Sequence, residues 1–266
     1  MTKAHFLVLS LATLMGVAMA QQQSAQQPAS ATEPVTATVP PTGFAGLDHY
    51  RASRANVYFN DFGELARYRA ADAALPAPAA GENRVVFFGD SITDMWKLDE
   101  SFPGKPYVNR GIGGQTTSQM LVRFRQDVIN LQPKVVVILA GTNDIAGNSG
   151  PIADVDIEAN YSDFAELAKA HNIRLIFSSV LPVYNYTDPS RDFFAQRPMG
   201  RILELNKWLK AFCEKNHLIY LDYFSSLVDD KGMLKRDLAD DGLHPNKAGF
   251  AIMAPMAEKA IEKGLK

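Results

Sequence analysis

The chain has 266 residues, 47% of them hydrophobic, with 27 basic and 29 acidic side chains and a formal charge of −2. That is enough apolar material for one sizeable core and too little for two large domains. The near-neutral charge excludes a general attraction for nucleic acid or an anionic membrane. The single cysteine, Cys213, excludes an intramolecular disulfide and a cysteine-based zinc cluster.

Lys3 precedes an apolar run from Phe6 to Ala20 that closes on Ala18-Met19-Ala20. A charged start, an apolar middle and a small-residue end predict a secretory signal over residues 1–20, cleaved after Ala20, and so a secreted or periplasmic protein. The run is shorter than the ~20 residues that span a bilayer, so no stable membrane insertion is expected. No cysteine follows the cleavage site, so a lipid anchor is not expected either. Residues 21–44 are rich in Gln, Pro, Thr, Ser and Ala and read as a disordered tether, because they cannot offset their ordering entropy by burial. The folded domain is expected over residues 45–266.

Within that domain helical patterns alternate with short apolar runs. Residues 61–75 look helical, and 84–88 form a strand ending at Gly89-Asp90. Residues 117–131 place Met120, Leu121, Phe124, Val128 and Leu131 on one helical face. Residues 135–139 form a fully apolar strand, 154–170 a helix, 174–181 a strand stopped by Pro182, 199–215 a helix and 218–221 a short strand. A final helical pattern over 246–263 is expected to break or restart at Pro255. Strand–helix alternation predicts crossover units on a parallel sheet. Strands apolar throughout predict helices on both faces, hence a three-layer α/β/α fold. In such folds ligands lie beyond the carboxyl ends of the strands.

The segments after the strands carry chemistry. Gly89-Asp90-Ser91 follows the first strand, Asn109-Arg-Gly-Ile-Gly-Gly114 precedes a helix, Gly141-Thr142-Asn143-Asp144 follows the 135–139 strand, and Asp240-Asp241-Gly242-Leu243-His244 lies near the C-terminus. A serine hydroxyl becomes a nucleophile when a base takes its proton. His244 is suited to that role, and Asp241, three residues away on a tight turn, can hold the imidazole in the correct tautomer. Backbone N–H groups at Ser91 and a glycine turn, with the Asn143 side-chain amide, can bind the oxyanion of an acyl-transfer intermediate. Of the five histidines, His5, His49, His171, His217 and His244, only His244 follows a carboxylate by three residues in a loop. Asp240 is expected to point away from the ring, Asp144 to cap the helix that follows it, and Cys213 to be core.

GDS after a strand, a glycine turn, GTND and DxxH, in this order, closely resemble the SGNH (GDSL-type) hydrolase family over residues 84–255. The segment NRGIGGQTT looks like its platelet-activating-factor acetylhydrolase-like branch. The resemblance implies a flavodoxin-like fold and metal-free, cofactor-free ester hydrolysis. Ser91 would be the nucleophile, His244 the base and acid, and Asp241 the orienting carboxylate. By the same resemblance Gly114, rather than Gly113, completes the oxyanion hole with Ser91 and Asn143. The first block reads GDSI, not GDSL; a β-branched residue at 92 should leave the nucleophile undisturbed.

The expected function is therefore a serine esterase acting through an acyl-enzyme, with short acyl groups, such as acetyl on carbohydrate, as substrate and no nucleic acid partner. The alternatives are a lysophospholipase or other long-acyl hydrolase, a non-catalytic carbohydrate-binding module and, more remotely, a metal-dependent phosphoesterase. Trp96, Tyr184 and Tyr186, with Phe193 and Phe194, are candidates for a substrate rim; packing over a helix end is the competing explanation for the aromatics of the 183–197 loop.

Overall fold

The computed structural model describes residues 41–184 and 192–266. The expected signal, most of the tether and Tyr186 lie outside them. In chain order the elements are α1 (Ala45–Asn60), α2 (Arg69–Ala74), β1 (Val85–Gly89), α3 (Ser91–Asp94), α4 (Leu98–Ser101), β2 (Tyr107–Gly111), α5 (Thr117–Asp127), β3 (Val135–Leu139), α6 (Thr142–Ala146), α7 (Asp154–Ala170), β4 (Arg174–Ser178), α8 (Phe193–Gln196), α9 (Met199–Lys215), β5 (Ile219–Leu221), α10 (Phe224–Leu227) and α11 (Lys247–Gly264).

The five strands among the described residues are all parallel, in the order β2-β1-β3-β4-β5. Because strand side chains alternate, the apolar runs feed two cores. Val86, Phe88, Val136, Ile138, Leu175 and Phe177 pack with Phe124, Phe164 and Leu209 of α5, α7 and α9. Val85, Phe87, Val135, Val137, Leu139 and Ile176 pack on the other face with Trp96 and with Met253, Ala257 and Ile261 of α11. This is the three-layer fold expected from sequence. The chain moves outward from β1 to β2 and then returns to β3 on β1's other side. The order therefore reverses between β1 and β3, the place where an open α/β sheet leaves a crevice at its carboxyl edge.

Several boundaries differ from expectation. Only α2 forms within 61–75. The Asp61 carboxylate accepts from the Leu65 and Ala66 N–H groups at 2.9 and 3.0 Å, and Glu64 sits at φ 54°, so a turn replaces the first helical turns. The helix expected over 117–131 ends at Asp127 and is followed by a 3₁₀ turn, Ile129–Leu131. β4 stops at Ser178 rather than Leu181, because Val180 bonds through both N–H and C=O to the Asn206 side chain. β2 was not expected: it is an edge strand reading YVNRG, and its polar residues are satisfied from outside the ladder. Asn109 Nδ2 donates to the Thr93 and Trp96 carbonyls, and Arg110 Nε donates to Asp72. α11 runs unbroken through Pro255. Pro255 and Ala251, whose carbonyl it deprives of a donor, are both on the exposed face, where water can substitute.

Two features fix the carboxyl edge. Gly89 and Gly111, paired across β1 and β2, let α3 pass close above them. A Cβ at Gly89 would lie 2.2 Å from Thr93 Oγ1, and one at Gly111 would lie 2.1 Å from the Asp94 backbone nitrogen. Beneath them Arg123 of α5 is fully buried. Its guanidinium donates to the Gly89 carbonyl (2.9 Å), the Arg110 carbonyl (2.9 Å), Gln115 Oε1 (2.6 Å) and Asp127 Oδ2 (2.9 Å), and lies 4.2 Å from the Phe88 ring centroid.

A buried cation is tolerated only when so paired. Replacing Arg123 by Met leaves Asp127 without its cation and should lower stability by about 3–5 kcal/mol. In a domain of this size that is on the order of a 10 °C drop in Tm. Thermal unfolding of the variant measures it, and an unchanged midpoint would show that the tie carries no net energy.

Candidate active site

Three chain segments meet at the carboxyl edge. Ser91 is the first residue of α3, directly after β1. Asn143 lies in α6, directly after β3. Asp241 and His244 lie in the loop before α11. That loop is closed by an antiparallel bridge between Ala239 and Pro245, and by Asn246, which caps α11 through the Ala248 and Gly249 N–H groups.

The structure brings Ser91, His244 and Asp241 together. Ser91 Oγ is 2.8 Å from His244 Nε2, and His244 Nδ1 is 2.6 Å from Asp241 Oδ2. Asp241 Oδ1 also accepts from the Leu243 and His244 N–H groups at 2.9 and 2.8 Å. Burial alone would raise the Asp241 carboxyl. The bonds from the His244 ring and from these two N–H groups outweigh it and hold the group well below the usual carboxylate range. An ionised Asp241 can only accept, so Nδ1 carries the ring hydrogen and the Nε2 lone pair faces the serine hydroxyl. That polarity can draw a proton from Ser91. Asp240 turns away, as expected, and accepts from Asn246 Nδ2.

The glycine turn lies beside this relay. The Gly113 N–H donates to Asp94 Oδ2 at 3.2 Å. Gly114 has φ 77°, and a Cβ there would fall 1.9 Å from the Tyr50 hydroxyl oxygen. α1 thus contributes a side chain that packs directly on the turn. Asn143 is buried: its Nδ2 donates to the Gln115 carbonyl (3.0 Å), and its Oδ1 accepts from Arg197 Nη2 (3.3 Å). Asp144 does not cap its own helix. It sits inside α6 and accepts from the Thr117 N–H and hydroxyl, so it anchors the start of α5 instead.

Sequence reasoning missed Tyr50 and Arg197. Tyr50 precedes every motif block, and Arg197 closes a loop whose sequence signal is its aromatic residues. Trp96 is not a rim residue. It is buried between Phe87, Phe102 and Phe250, and its indole N–H donates to Ser101 Oγ. Five positions after Ser91 the chain has already turned down into the layer between sheet and α11. Tyr184 is half-buried, and its N–H donates to the Gly242 carbonyl at 2.7 Å, which ties its segment to the Asp241–His244 loop. Cys213 is buried, its thiol pushed up to about 12 by burial. Among the described residues no three His, Cys, Asp or Glu side chains are placed to hold a metal ion.

Residues 87–252 match the model of the GDSL-like lipase/acylhydrolase family. The chain belongs to this family of carboxylic ester hydrolases. The crystal structure of a GDSL-like lipase from Bacteroides thetaiotaomicron is 39% identical, with TM-score 0.71, covering 77% of this chain and 100% of that one. The human platelet-activating factor acetylhydrolase IB subunit alpha2 is 28% identical over 192 residues, covering 68% of this chain and 77% of that protein. An acetylxylan esterase of Geobacillus stearothermophilus is 24% identical over 202 residues, covering 64% of this chain and 90% of that protein. The match to an uncharacterised lipoprotein of Bacillus subtilis, 29% identical over 155 residues, spans 64% of that protein's length.

Asp90, between Gly89 and Ser91, is fully buried. Its Oδ1 accepts from the Ile92 N–H, and its Oδ2 has no hydrogen-bond partner among the described residues. Burial raises its carboxyl from the ordinary 3.8 to about 6, against the downward pull of the Ile92 N–H and of His244 and Arg197. A carboxyl raised on folding contributes stability that is fully present below about pH 4 and is lost as pH rises through about 6. Asp90→Asn keeps an oxygen for Ile92 and removes the ionisation. The Tm of the variant relative to wild type should therefore climb between about pH 4 and 7, by the equivalent of roughly 3 kcal/mol. Thermal unfolding across that range tests it; a constant difference between the two proteins would contradict the assignment.

Proposed function

We propose that the protein is a secreted serine esterase that cleaves short-acyl esters, acetyl groups on carbohydrate foremost, through an acyl-enzyme. The observation that carries the reading is the unbroken relay from Ser91 Oγ through His244 to Asp241, with contacts of 2.8 and 2.6 Å. His244 takes the Ser91 proton as Oγ attacks the ester carbon, then returns it to the departing alcohol; a water repeats the sequence to release the acid. The oxyanion is bound by the N–H groups of Ser91 and Gly114 and by Asn143 Nδ2. Gly114 is preferred over its neighbour because the Gly113 N–H is already committed to Asp94. A chain of this family with the relay intact is an enzyme, and the binding-module alternative is set aside.

The acetyl preference is supported by two relatives whose names specify acetyl esters, the acetylxylan esterase and the platelet-activating factor acetylhydrolase subunit. Export is supported by the charged start and apolar run of residues 1–20 and by the lipoprotein relative. No helix among the described residues is long and apolar enough to cross a membrane.

The longer-acyl alternative needs an apolar channel at Ser91. The groove of about 840 Å³ lined by Met95, Trp96, Phe102, Phe250 and Ala254 lies between α4 and α11 and is lined by neither Ser91 nor His244, so it does not favour that reading. A p-nitrophenyl ester series from acetate to decanoate separates the two readings: the short-acyl reading requires kcat/KM to fall with chain length, and a rising series overturns it.

Ser91→Ala should abolish turnover with the Tm intact, and a serine-reactive organophosphonate should add a single adduct, located at Ser91 by mass spectrometry. Asn143→Ala should lower kcat by roughly 10²-fold at nearly constant KM. Steady-state kinetics decide, and an unchanged kcat removes Asn143 from the oxyanion hole.

A further inference from the structure

Asn143 does not hold its own orientation. A side-chain amide has an accepting end and a donating end of nearly the same shape, and rotation by half a turn exchanges them. In the proposed oxyanion hole only the donating end is useful. A flipped amide would aim an oxygen lone pair at a negatively charged oxygen.

Two groups oppose that flip, one at each end. The Gln115 carbonyl can only accept, and it faces Nδ2 at 3.0 Å. The Arg197 guanidinium can only donate, and its Nη2 faces Oδ1 at 3.3 Å. Arg197 is 3% exposed. Its Nε also donates to Thr142 Oγ1 (3.0 Å), and its Nη1 donates to Gln196 Oε1 (3.3 Å). One rigid fork therefore grips the first two residues of α6, Thr142 and Asn143. Burial lowers its pKa to about 10, while the charges of Asp90 and Asp241 pull it back up, so it remains a cation at neutral pH. A charged donor on Oδ1 also withdraws electron density from the amide and makes the Nδ2 hydrogens stronger donors.

We propose that Arg197 is a positioning residue for catalysis: it locks the Asn143 amide with Nδ2 toward the reacting carbonyl and polarises it for the transition state. This rests on the reading of Asn143 as an oxyanion donor. The role concerns charge that develops during reaction, so its removal should appear in kcat and leave substrate binding nearly unchanged.

The test is a double-mutant cycle on an activated acetyl ester, using Arg197→Met, Asn143→Ala and the pair, with Tm recorded for each. Arg197→Met should lower kcat by roughly 10- to 100-fold while KM moves less than about threefold. In the Asn143→Ala background the same change should cost less than about threefold. Arg197→Lys keeps the charge but cannot grip both oxygens as a fork, so it should restore part of kcat; it carries the cycle if the Met variant fails to fold. Equal losses in both backgrounds, or a folded Arg197→Met enzyme with wild-type kcat, would overturn the role of Arg197 alone. An unchanged kcat in Asn143→Ala would overturn the oxyanion reading itself and Arg197's part with it.

Discussion

One guanidinium with no access to solvent holds the carboxyl edge of the sheet together. Arg123 bonds at once to the end of β1, the end of β2, the first turn after β2 and an acid on its own helix. Slipping β2 against β1 by one residue would separate these acceptors and strand a charge in the core, which is far costlier than losing an apolar contact. The same two strand ends lead directly into Ser91 and the glycine turn. The register of the edge and the spacing between Ser91 and the glycine turn are thus set by the same cation.

The position of the chemistry follows from the topology. The chain leaves β1 toward β2 and leaves β3 toward β4, so the segments after β1 and β3 diverge and open a crevice between Ser91 and Asn143. Into it come the Asp241–His244 loop from the C-terminal side and Tyr50 from the N-terminal helix. Buried charge surrounds the crevice: Asp90 beside Ser91, Arg197 behind Asn143 and Asp144 under the start of α5. Burial raises the two carboxyls to about 6 and lowers the arginine to about 10. Such strained ionisations concentrate where a fold serves chemistry rather than stability alone.

What the sequence made legible is whatever had a local physical signature. β1, β3 and β4 were readable because strands covered on both faces are apolar throughout, and α7 and α9 because their apolar stripes repeat at helical spacing. The blocks at Ser91, Asn143 and Asp241–His244 were readable because each follows a strand or turn. Elements satisfied only by distant partners were not. β2 looks too polar for a strand until Thr93, Trp96 and Asp72 supply its bonds. Asp144 resembles a cap for its own helix until Thr117 arrives from another. Trp96 looks like a rim aromatic until Phe250 of α11 covers it, and Arg197 carries no signal until Thr142 and Asn143 of α6 meet it.

The relay from Ser91 through His244 to Asp241 is unevenly supported. Asp241 and His244 sit three positions apart in one bridged loop, joined by bonds that need nothing else in the molecule. Ser91 lies 153 positions from His244, and their distance is kept by the packing of α3 and α11 against the sheet and by the Tyr184–Gly242 bond. Mild heat or denaturant that loosens this packing will part hydroxyl from imidazole while the acid–base pair and most of the helical signal survive. The relay then acts as a fuse: an activity that runs through it should vanish ahead of the cooperative melt and return on cooling as long as the sheet has not come apart.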